Sequence, residues 1–385
     1  MRDDQKNRAG IYVHIPFCQS KCGYCDFYSV TDLSAKSPFI QALLQEVEYV
    51  SRQLDKIPEF DTLYLGGGTP SLLNDSEMDQ LFTRLRDHFS LTADCEITLE
   101  ANPGTLSKDK LQHFRGLGIN RLSLGVQSFH DQELQLLERI HSARQAEEGI
   151  ALARSTGFDN LSIDLIYALP GQKMQSWIDT LNIAVECQPE HISAYNLVFE
   201  EGTPFYRARE SGQLRVLDED QELLFYRKTV SMLNEHGYEQ YEVSNYARDP
   251  LLRSRHNMKY WNHEPYLGFG PSAHSYWDGK RRSNVRSLTL YHRQLQAGQL
   301  PIAQEEVIDA GTEQFEKIFL SLRTNQGLNL LQFEKRFHES FEIKYRDQID
   351  DLIRNDLALI EDQYFRLTSK GFCICDEILV RFAPA

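Results

Sequence analysis

Six short apolar segments alternate with amphipathic segments over the first half of the chain. The apolar segments cover residues 11–15, 62–65, 96–100, 121–124, 161–166 and 191–196. Between them, apolar residues recur at helical spacing, as in Phe39, Leu43 and Val47. This alternation predicts parallel strands joined by right-handed helical crossovers. Because six units fall short of a closed (β/α)8 barrel, we predict an α/β fold built on an open, partial (β/α)6 barrel.

The second half of the chain has a different pattern. Residues 218–236 predict a long amphipathic helix, and residues 238–243 predict another strand. From Ala310 onward the pattern is mostly helical, with a strand-like run at 364–368. Helices followed by a short ribbon are typical of winged-helix units, although acidic faces argue against DNA here. We therefore predict a barrel at 1–245, a connecting segment at 246–300 and a smaller, mostly helical, winged-helix-like C-terminal domain at 301–385.

The charge of the chain limits its partners. It carries 41 Lys and Arg against 56 Asp and Glu, for a formal net charge of −15. Because nucleic-acid binding needs a positive surface that displaces counterions, we expect no nucleic-acid partner. No apolar run reaches the roughly eighteen residues of a membrane span, and residues 1–10 lack the apolar core of a secretory signal. We expect a cytoplasmic protein with reduced thiols.

Three cysteines, Cys18, Cys22 and Cys25, lie directly after the first predicted strand. Thiolates hold iron–sulfur clusters, and three of them leave one iron of a four-iron cubane open to another ligand. A structural zinc ion would need a fourth ligand close by. Cys373 and Cys375 form a second pair, which we interpret as structural cysteines on alternating faces of a strand, although a metal-binding pair stays open.

Polar or glycine-rich groups follow several of the other predicted strands. Gly67, Gly68 and Thr69 follow the second strand, where successive glycines let the backbone approach a ligand or form a tight turn. Singly, such polar residues more often serve as caps, but together at one edge they predict a small-molecule site. The further candidates are Glu100 at the end of the third strand, Gln127 beyond the fourth, Arg139 in a predicted helix and Asp164 inside the fifth strand.

The cysteine spacing after the first strand of a βα series resembles the radical S-adenosylmethionine (SAM) superfamily. The resemblance implies a [4Fe-4S] cluster whose open iron is chelated by SAM and whose electron generates a 5′-deoxyadenosyl radical. It also implies SAM contacts from Tyr12, Tyr24, Gly67, Gly68, Thr69 and Glu100. Gln127, Arg139 and Asp164 match positions that line a second SAM site in one branch of the family, so the number of SAM molecules stays open.

Over nearly its whole length the chain resembles the branch that contains anaerobic coproporphyrinogen dehydrogenases and heme chaperones. Phe27 stands where the dehydrogenases carry a further cysteine, and only eleven residues precede Tyr12, whereas the dehydrogenases have a longer N-terminal segment. Both departures favour the chaperones. We therefore expect heme binding and delivery to apo-proteins, at the inner membrane face where respiratory enzymes mature, without dehydrogenase activity. A homodimer is compatible with this role.

The heme-associated part of the resemblance is the motif His256-Asn-x-x-Tyr260-Trp261. An imidazole can ligate heme iron, and aromatic rings can cover the macrocycle. His274 is a second candidate ligand. Alternatively, His256 is a hydrogen-bonded residue that anchors a strand-like segment around it. Two rival functions stay open: an oxygen-independent coproporphyrinogen III dehydrogenase that oxidatively decarboxylates its substrate, and a radical SAM enzyme with an unrelated substrate.

Overall fold

The computed structural model describes residues 8–384 and contains one large sheet and one small sheet. The strands are β1 Arg8–Ile15, β2 Glu59–Gly67, β3 Ser90–Ala101, β4 Arg121–Gln127, β5 Leu161–Tyr167, β6 His191–Asn196, β7 Glu239–Gln240, β8 Asn245–Ala247, β9 Tyr266–Phe269, β10 His274–Trp277, β11 Lys280–Asn284, β12 Ile302–Val307, β13 Leu328–Asn329, β14 Ala358–Glu361 and β15 Tyr364–Leu367.

Helices connect and cover these strands. They are α1 Lys36–Gln53, α2 Asp75–His88, α3 Lys108–Gly116, α4 Asp131–Leu136, α5 Ala143–Ser155, α6 Met174–Glu186, α7 Pro204–Glu210, α8 Glu219–Glu235, α9 Arg255–Trp261, α10 Leu288–Gln296, α11 Ala310–Ser321, α12 Leu330–Phe337, α13 Phe341–Lys344, α14 Arg346–Arg354, α15 Ser369–Phe372 and α16 Cys375–Val380. Among the described residues, no helix is both long and apolar enough to cross a membrane.

The first six strands pair in parallel and in sequence order, which confirms the predicted α/β core. The sheet does not close on itself, because β1 pairs on its other edge with β9 and β6 pairs with β8. The strands β10, β11 and β12 continue the sheet beyond β9 in antiparallel order. The barrel is therefore partial, and its free edges are extended rather than joined.

Side chains cap helix starts in the barrel. Asn74 and Glu77 form a capping box at the start of α2, and the side chain of Ser107 caps α3. The apolar faces of α1 and α2 pack on the sheet in one continuous core that includes Phe39, Leu43 and Leu81. Burial of these faces fixes the helices on the outside of the barrel, so the strand ends remain available for a site.

The C-terminal unit has its own apolar core. Residues from α11 to α16 enclose a cluster that includes Ile318, Phe341 and Phe365, and β13, β15 and β14 form a three-stranded ribbon. Helices followed by this ribbon confirm a separate, mostly helical C-terminal domain. Residues 266–284 and 302–307 add strands to the large sheet, so the domain boundaries at 245 and 300 stay predictions.

Several predicted elements differ from the structure. The strand predicted at 238–243 is reduced to Glu239–Gln240, because the chain turns after it to pair with β8. The segment around His256 is helical, with Ser254 as its N-cap, and is not strand-like. Arg139 follows α4 in a turn and is not in a helix, since Glu138 has a left-handed φ of 55°. Cys373 and Cys375 lie at helix ends and not on strand faces.

Candidate functional site

The three cysteines lie on one loop, which follows β1 and is closed at its base by backbone hydrogen bonds. The amide of Cys18 donates to the carbonyl of Val30 at 3.0 Å, and the amide of Val30 donates to the carbonyl of Pro16 at 2.7 Å. Within the loop, the amide of Cys25 donates to the carbonyl of Cys22 at 3.1 Å. All three side chains are half-buried free thiols. The loop therefore presents three reduced thiols at the carboxyl end of β1.

The surroundings of the thiols bear on their ionisation. Burial raises the pKa of Cys18 and of Cys25, which favours the neutral thiol in the metal-free chain. The hydrogen bond that Oγ1 of Thr69 donates to Sγ of Cys18 at 3.7 Å, together with the charge of Arg139, acts in the opposite direction on the pKa of Cys18. Nη1 of Arg139 also lies 3.7 Å from Sγ of Cys22. A bound metal favours the thiolate as well, so ionisation and metal binding are coupled here.

The donor set fits an iron–sulfur cubane better than a single zinc ion. Within residues 8–384, no three His, Cys, Asp or Glu side chains are placed to hold one metal ion together. A zinc site gathers its ligands around one point, whereas the thiolates of a cubane each bind a different iron. Cys18, Cys22 and Cys25 together could ligate three irons of a cubane and leave the fourth for a non-protein ligand.

Gly67, Gly68 and Thr69, here called the glycine loop, lie at the end of β2 and pack directly against the base of the cysteine loop. A Cβ atom added to Gly68 would lie 2.7 Å from the carbonyl oxygen of Phe17, and Gly67 has a φ of 107°. The amide of Gly68 donates to the carbonyl of Ile15 at 2.9 Å. Only glycine allows this approach of the two backbones. Thr69 is buried beside them, where it contacts Cys18.

Glu100 lies near the end of β3 and faces the glycine loop. Its Oε2 accepts a hydrogen bond from the amide of Gly67 at 3.0 Å, and its Oε1 accepts one from the hydroxyl of Tyr64 at 2.8 Å. Burial raises the pKa of Glu100 to about 7, more than these hydrogen bonds lower it. The carboxylate is half-buried beside the glycine loop, which is a suitable place for an acceptor of ribose or amine hydrogen bonds.

Arg139 and Gln127 meet around Gly125 in β4. A Cβ atom added to Gly125 would lie about equally close to Nε2 of Gln127, Nη2 of Arg139 and Oδ1 of Asn102, at 3.1 to 3.2 Å. Nη2 of Arg139 donates to the carbonyl of Gly125 at 2.9 Å and also to Asn102. Gln127 has a left-handed φ of 70°, which turns the chain at the strand end. Arg139 thereby joins the fourth strand to Cys22 of the cysteine loop.

Asp164 faces the interior of the barrel from β5. The hydroxyl of Ser123 donates to its two carboxylate oxygens at 3.0 and 3.1 Å, and that of Ser162 donates at 3.4 Å. Burial raises the pKa of Asp164. This carboxylate therefore belongs to a polar network inside the barrel, in register with Gly125 of β4.

The two candidate tyrosines occupy different surroundings. The hydroxyl of Tyr12 is hydrogen-bonded to Nδ1 of His14 at 3.1 Å, and its ring lies 6.1 Å from the ring of Tyr64. Tyr24 packs edge-on against Phe205, in a small apolar cluster below the cysteine loop. Tyr12 thus lines the barrel interior, whereas Tyr24 supports the loop from the side of α7.

Of the heme candidates, His256 and Tyr260 are in direct contact, whereas His274 lies on a different element. His256 is 1% exposed, and its Nδ1 and Nε2 are hydrogen-bonded at 2.8 Å to the hydroxyls of Thr62 and Tyr260. This geometry favours the alternative in which His256 is an anchoring residue. His274 is exposed on β10 and Trp261 is half-buried at the end of α9. Within residues 8–384, no hydrogen bond or ring contact joins His256 to His274.

Sequence reasoning missed four residues of this site: Thr62, Tyr64, Asn102 and Arg121. Asn102 directly follows β3 and was discoverable as another polar residue at a strand end. Arg121 is 2% exposed inside the barrel, and its Nε has no hydrogen-bond partner among residues 8–384. A charged residue within an apolar strand segment is the signal that could have identified it. Thr62 and Tyr64 act through tertiary contacts that no local pattern shows.

Comparison with known proteins agrees with this geometry. The Radical SAM superfamily model matches residues 12–184, and the HemN C-terminal domain model matches residues 310–374. The chain is 35% identical over 375 residues to "Heme chaperone HemW" of Lactococcus lactis, covering 96% of each chain. It is 32% identical over 373 residues to "Heme chaperone HemW" of Bacillus subtilis, covering 96% of this chain and 98% of that one.

Among solved structures, the coproporphyrinogen III oxidase HemN of Escherichia coli, described as a radical SAM enzyme, superposes with a TM-score of 0.86. The two share 26% sequence identity, and the match covers 98% of this chain and 90% of the other. The superposition includes the barrel and the C-terminal unit, whereas the higher sequence identities are to the chaperones. This protein belongs to the HemW family of heme chaperones, within the radical SAM superfamily.

Proposed function

We propose that this protein binds heme and delivers it to apo-proteins, and that it carries a [4Fe-4S] cluster with SAM at the open iron. The observation that carries the proposal is the packing of the cysteine loop, the glycine loop and Glu100 against one another, in a chain of the HemW family. The recipients would be respiratory enzymes that mature at the inner membrane face. The partners include no nucleic acid, in keeping with the acidic charge of the chain.

In this proposal, Cys18, Cys22 and Cys25 hold the cluster. The glycine loop receives the methionyl part of SAM, and Glu100 exchanges its hydrogen bond from Gly67 for one from the ligand. When bound, the cluster and SAM supply an electron and a source of the 5′-deoxyadenosyl radical. Tyr12, in the barrel interior, and Tyr24, packed on Phe205 of α7, are the candidate tyrosines for contact with SAM from two different sides. Gln127, Arg139 and Asp164 would line a second SAM site, if the chain binds two molecules.

The heme ligand is a separate part of the proposal. His274 is exposed, and burial of part of its ring lowers its pKa, which favours the neutral imidazole that ligates iron. His256 would have to break two buried hydrogen bonds before it could do so. We therefore propose His274 ahead of His256 as the axial ligand, with Tyr260 and Trp261 as candidate contacts of the macrocycle.

The test is anaerobic reconstitution of the full chain, followed by iron and sulfide analysis, SAM binding and heme titration on one preparation. We expect close to four irons per chain, and we expect Cys18→Ser, Cys22→Ser and Cys25→Ser each to lose the cluster. Cys187→Ser is the matched control, because Cys187 is a half-buried free cysteine outside the loop. Zinc, or no inorganic sulfide, in oxygen-free material would overturn the cluster assignment. Transfer of bound heme to an apo-hemoprotein tests delivery.

A second candidate function is supported by the structural likeness to HemN. An oxygen-independent coproporphyrinogen III dehydrogenase would need the same cysteine and glycine loops. The two functions differ in turnover, so the same preparation is assayed with coproporphyrinogen, SAM and a low-potential reductant. Steady formation of protoporphyrinogen would support the dehydrogenase, whereas heme transfer without turnover would support the chaperone.

A further inference from the structure

The motif residue His256 lies inside the barrel, below the carboxylate of Glu100. Strand register places Tyr12, Tyr64, Thr98 and Arg121 side by side across β1 to β4. Glu100 stands two residues further along β3 than Thr98, nearer the carboxyl end, and shares its face of the sheet. In closed barrels this interior is filled by branched apolar side chains, but here it contains polar groups and aromatic rings.

The ring of His256 is fixed on both sides. Its Nδ1 is hydrogen-bonded to Oγ1 of Thr62 on β2, and its Nε2 to the hydroxyl of Tyr260, one turn further along α9. Tyr260 in turn packs edge-on against Tyr266 of β9, with ring centroids 4.7 Å apart. Burial lowers the pKa of His256 to about 3, so the ring is neutral. Both of its nitrogens are occupied, and neither is available to another ligand.

The ring of His256 stacks on Tyr64. The two centroids are 5.2 Å apart, and the planes are inclined by 28°. The hydroxyl of Tyr64 donates to Oε1 of Glu100 at 2.8 Å, while Oε2 of Glu100 accepts from the amide of Gly67 at 3.0 Å. A continuous set of contacts therefore runs from His256 through Tyr64 to Glu100 and the glycine loop.

The helix that carries His256 is itself held to the barrel strands. The amide of His256 donates to Oε1 of Glu96 on β3 at 3.2 Å. Nζ of Lys259 lies 2.7 Å from Oδ1 of Asp61 on β2, and Lys259 is almost fully buried. The helix α9 is therefore fixed at several points, and the two hydrogen bonds of the His256 ring hold the ring itself in place. The ring is thus a rigid support for Tyr64.

We infer that His256 is a positioning residue for the SAM site, which acts by holding Tyr64 in the orientation that directs Glu100 toward the glycine loop. The inference rests on the proposed SAM binding, and it assigns the buried part of the His-Asn-x-x-Tyr-Trp motif to that site and not to heme ligation. Trp261 and the exposed His274 remain free for the heme role. The buried part of the motif would then contribute to SAM binding without contacting SAM itself.

The test compares SAM dissociation constants of the reconstituted full chain and its variants, measured by anaerobic equilibrium dialysis. Tyr64→Phe removes only the hydroxyl, and we expect SAM affinity to fall about fivefold, the value of one hydrogen bond. His256→Ala should lower SAM affinity by a similar factor. The double variant should lose little more than either single variant, because both changes disrupt the same contact with Glu100. Heme affinity and the Soret band should be unchanged in all three.

The matched control is His88→Ala, because His88 is a half-buried histidine hydrogen-bonded to Ser51 in the outer helical layer. It should leave SAM affinity unaltered. Unchanged SAM affinity in both Tyr64→Phe and His256→Ala would overturn the inference, as would fully additive losses. A shifted Soret band in His256→Ala, with SAM affinity intact, would make His256 a heme ligand. If the unaltered chain binds no SAM, the proposed function fails before the inference is tested.

If His256→Ala fails to fold, Tyr64→Phe still decides the part of the inference that concerns Glu100. His256→Phe adds a test of the first step, because phenylalanine keeps a flat ring against Tyr64 but lacks both nitrogen hydrogen bonds. We expect it to recover part of the SAM affinity lost in His256→Ala. If His256→Phe binds SAM as weakly as His256→Ala does, this result would contradict the support of Tyr64 through ring stacking.

Discussion

Arg139 connects the cysteine loop to the strand ends of the barrel. Its Nη1 lies 3.7 Å from Sγ of Cys22, and its Nη2 donates to the carbonyl of Gly125 at 2.9 Å. Its Nε is buried and has no hydrogen-bond partner among the described residues. The charge of Arg139 acts to lower the pKa of Cys18, and the thiolate is the form that binds iron. Under the proposed function, Arg139 would support the cluster as well as SAM.

We expect Arg139→Met to weaken retention of the cluster. Methionine keeps most of the length of the side chain but removes the charge and the hydrogen bonds to Cys22, Asn102 and Gly125. Groups that orient metal ligands typically contribute about tenfold or more to metal affinity. Iron and sulfide per chain should fall, and cluster loss to a chelator should be about tenfold faster.

Arg144→Met is the control for this change. Arg144 lies on the exposed face of α5, where Glu148, at 3.5 Å, is its one ion-pair partner in the part of the chain that the structure describes. Its replacement should leave the rate of cluster loss unaltered. Equal rates for Arg139→Met and the unaltered chain would show that Arg139 has no part in holding the cluster.

At the residue scale, the sequence identified polar residues within the predicted strands or at their ends. It did not identify the side-chain contacts that join residues far apart in the chain. Glu100 and Asp164 were identifiable because the strands that carry them were recognisable. The hydrogen bond between Thr62 and His256 joins residues 194 positions apart, and no local pattern encodes it. Arg139 was wrongly placed in a helix, since its backbone depends on a positive φ at Glu138 that the residue type does not predict.

At the scale of elements, Glu46 fixes α1 to the extended edge of the sheet. Its Oε2 accepts hydrogen bonds from the amide of Gly270 at 2.8 Å and from the hydroxyl of Tyr291 at 2.5 Å. Its Oε1 accepts one from Nδ2 of Asn284 at 2.5 Å. One carboxylate therefore joins α1, the chain after β9, β11 and α10. Burial raises the pKa of Glu46 to about 7, despite these three donors.

We expect Glu46 to make the stability of the fold depend on pH. A glutamate in the unfolded chain titrates near about pH 4.3, whereas Glu46 in the folded chain titrates near 7. Between these values the folded state binds more protons, so the free energy of unfolding falls as pH rises through the window and levels off above it. The loss is at most about 4 kcal/mol.

Glu46→Gln removes this titration, so its unfolding free energy relative to the unaltered chain should rise from about pH 5 to about pH 8. Urea denaturation at each pH measures the difference. The comparison between pH values cancels any fixed cost of the amide beside Asn284. Glu48→Gln, on the same helix but paired with Arg84, is the control. A constant difference across the window would contradict the assignment.

The barrel strands were predictable because their apolar runs repeat with helices between them. The helix α9 was not, since its seven residues are short and mostly polar or aromatic. Such a segment is helical because Ser254 caps it and because Lys259 is buried against Asp61. Tertiary contacts of this kind override local propensity, so the position of the His256 motif had to come from the structure.

At the scale of the whole molecule, two apolar cores meet at a polar junction. Glu316 on α11 pairs with Nη2 of Arg281 at 2.5 Å and with Nε2 of His263 at 3.1 Å. Nζ of Lys317 donates to the carbonyl of Asn262 at 3.0 Å. These contacts link the C-terminal unit to β11 and to the turn that follows α9. The junction is thus adjacent to the helix that carries His256.

We expect Glu316→Gln to loosen the C-terminal unit without unfolding the barrel. Loss of a partly exposed ion pair costs about 1 kcal/mol, equivalent to roughly fivefold faster amide exchange by local opening. Hydrogen exchange should increase in α11 and β13 to β15 and stay unaltered in β1 to β6. Glu305→Gln is the control, because Glu305 pairs with Lys280 and Arg282 within the large sheet. An equal increase of amide hydrogen exchange in the barrel and in the C-terminal unit would contradict the presence of two separate cores.

The hydrogen bonds between Cys18 and Val30, and between Val30 and Pro16, have a consequence for assembly. They close the cysteine loop at its base through backbone atoms alone, without using the thiols. Most of the conformational entropy that the chain loses when the three cysteines are brought together is then lost during folding, and not when the cluster is inserted. Cluster insertion would resemble metal binding by a preorganised chelator, in which only the residues at the tip of the loop change conformation.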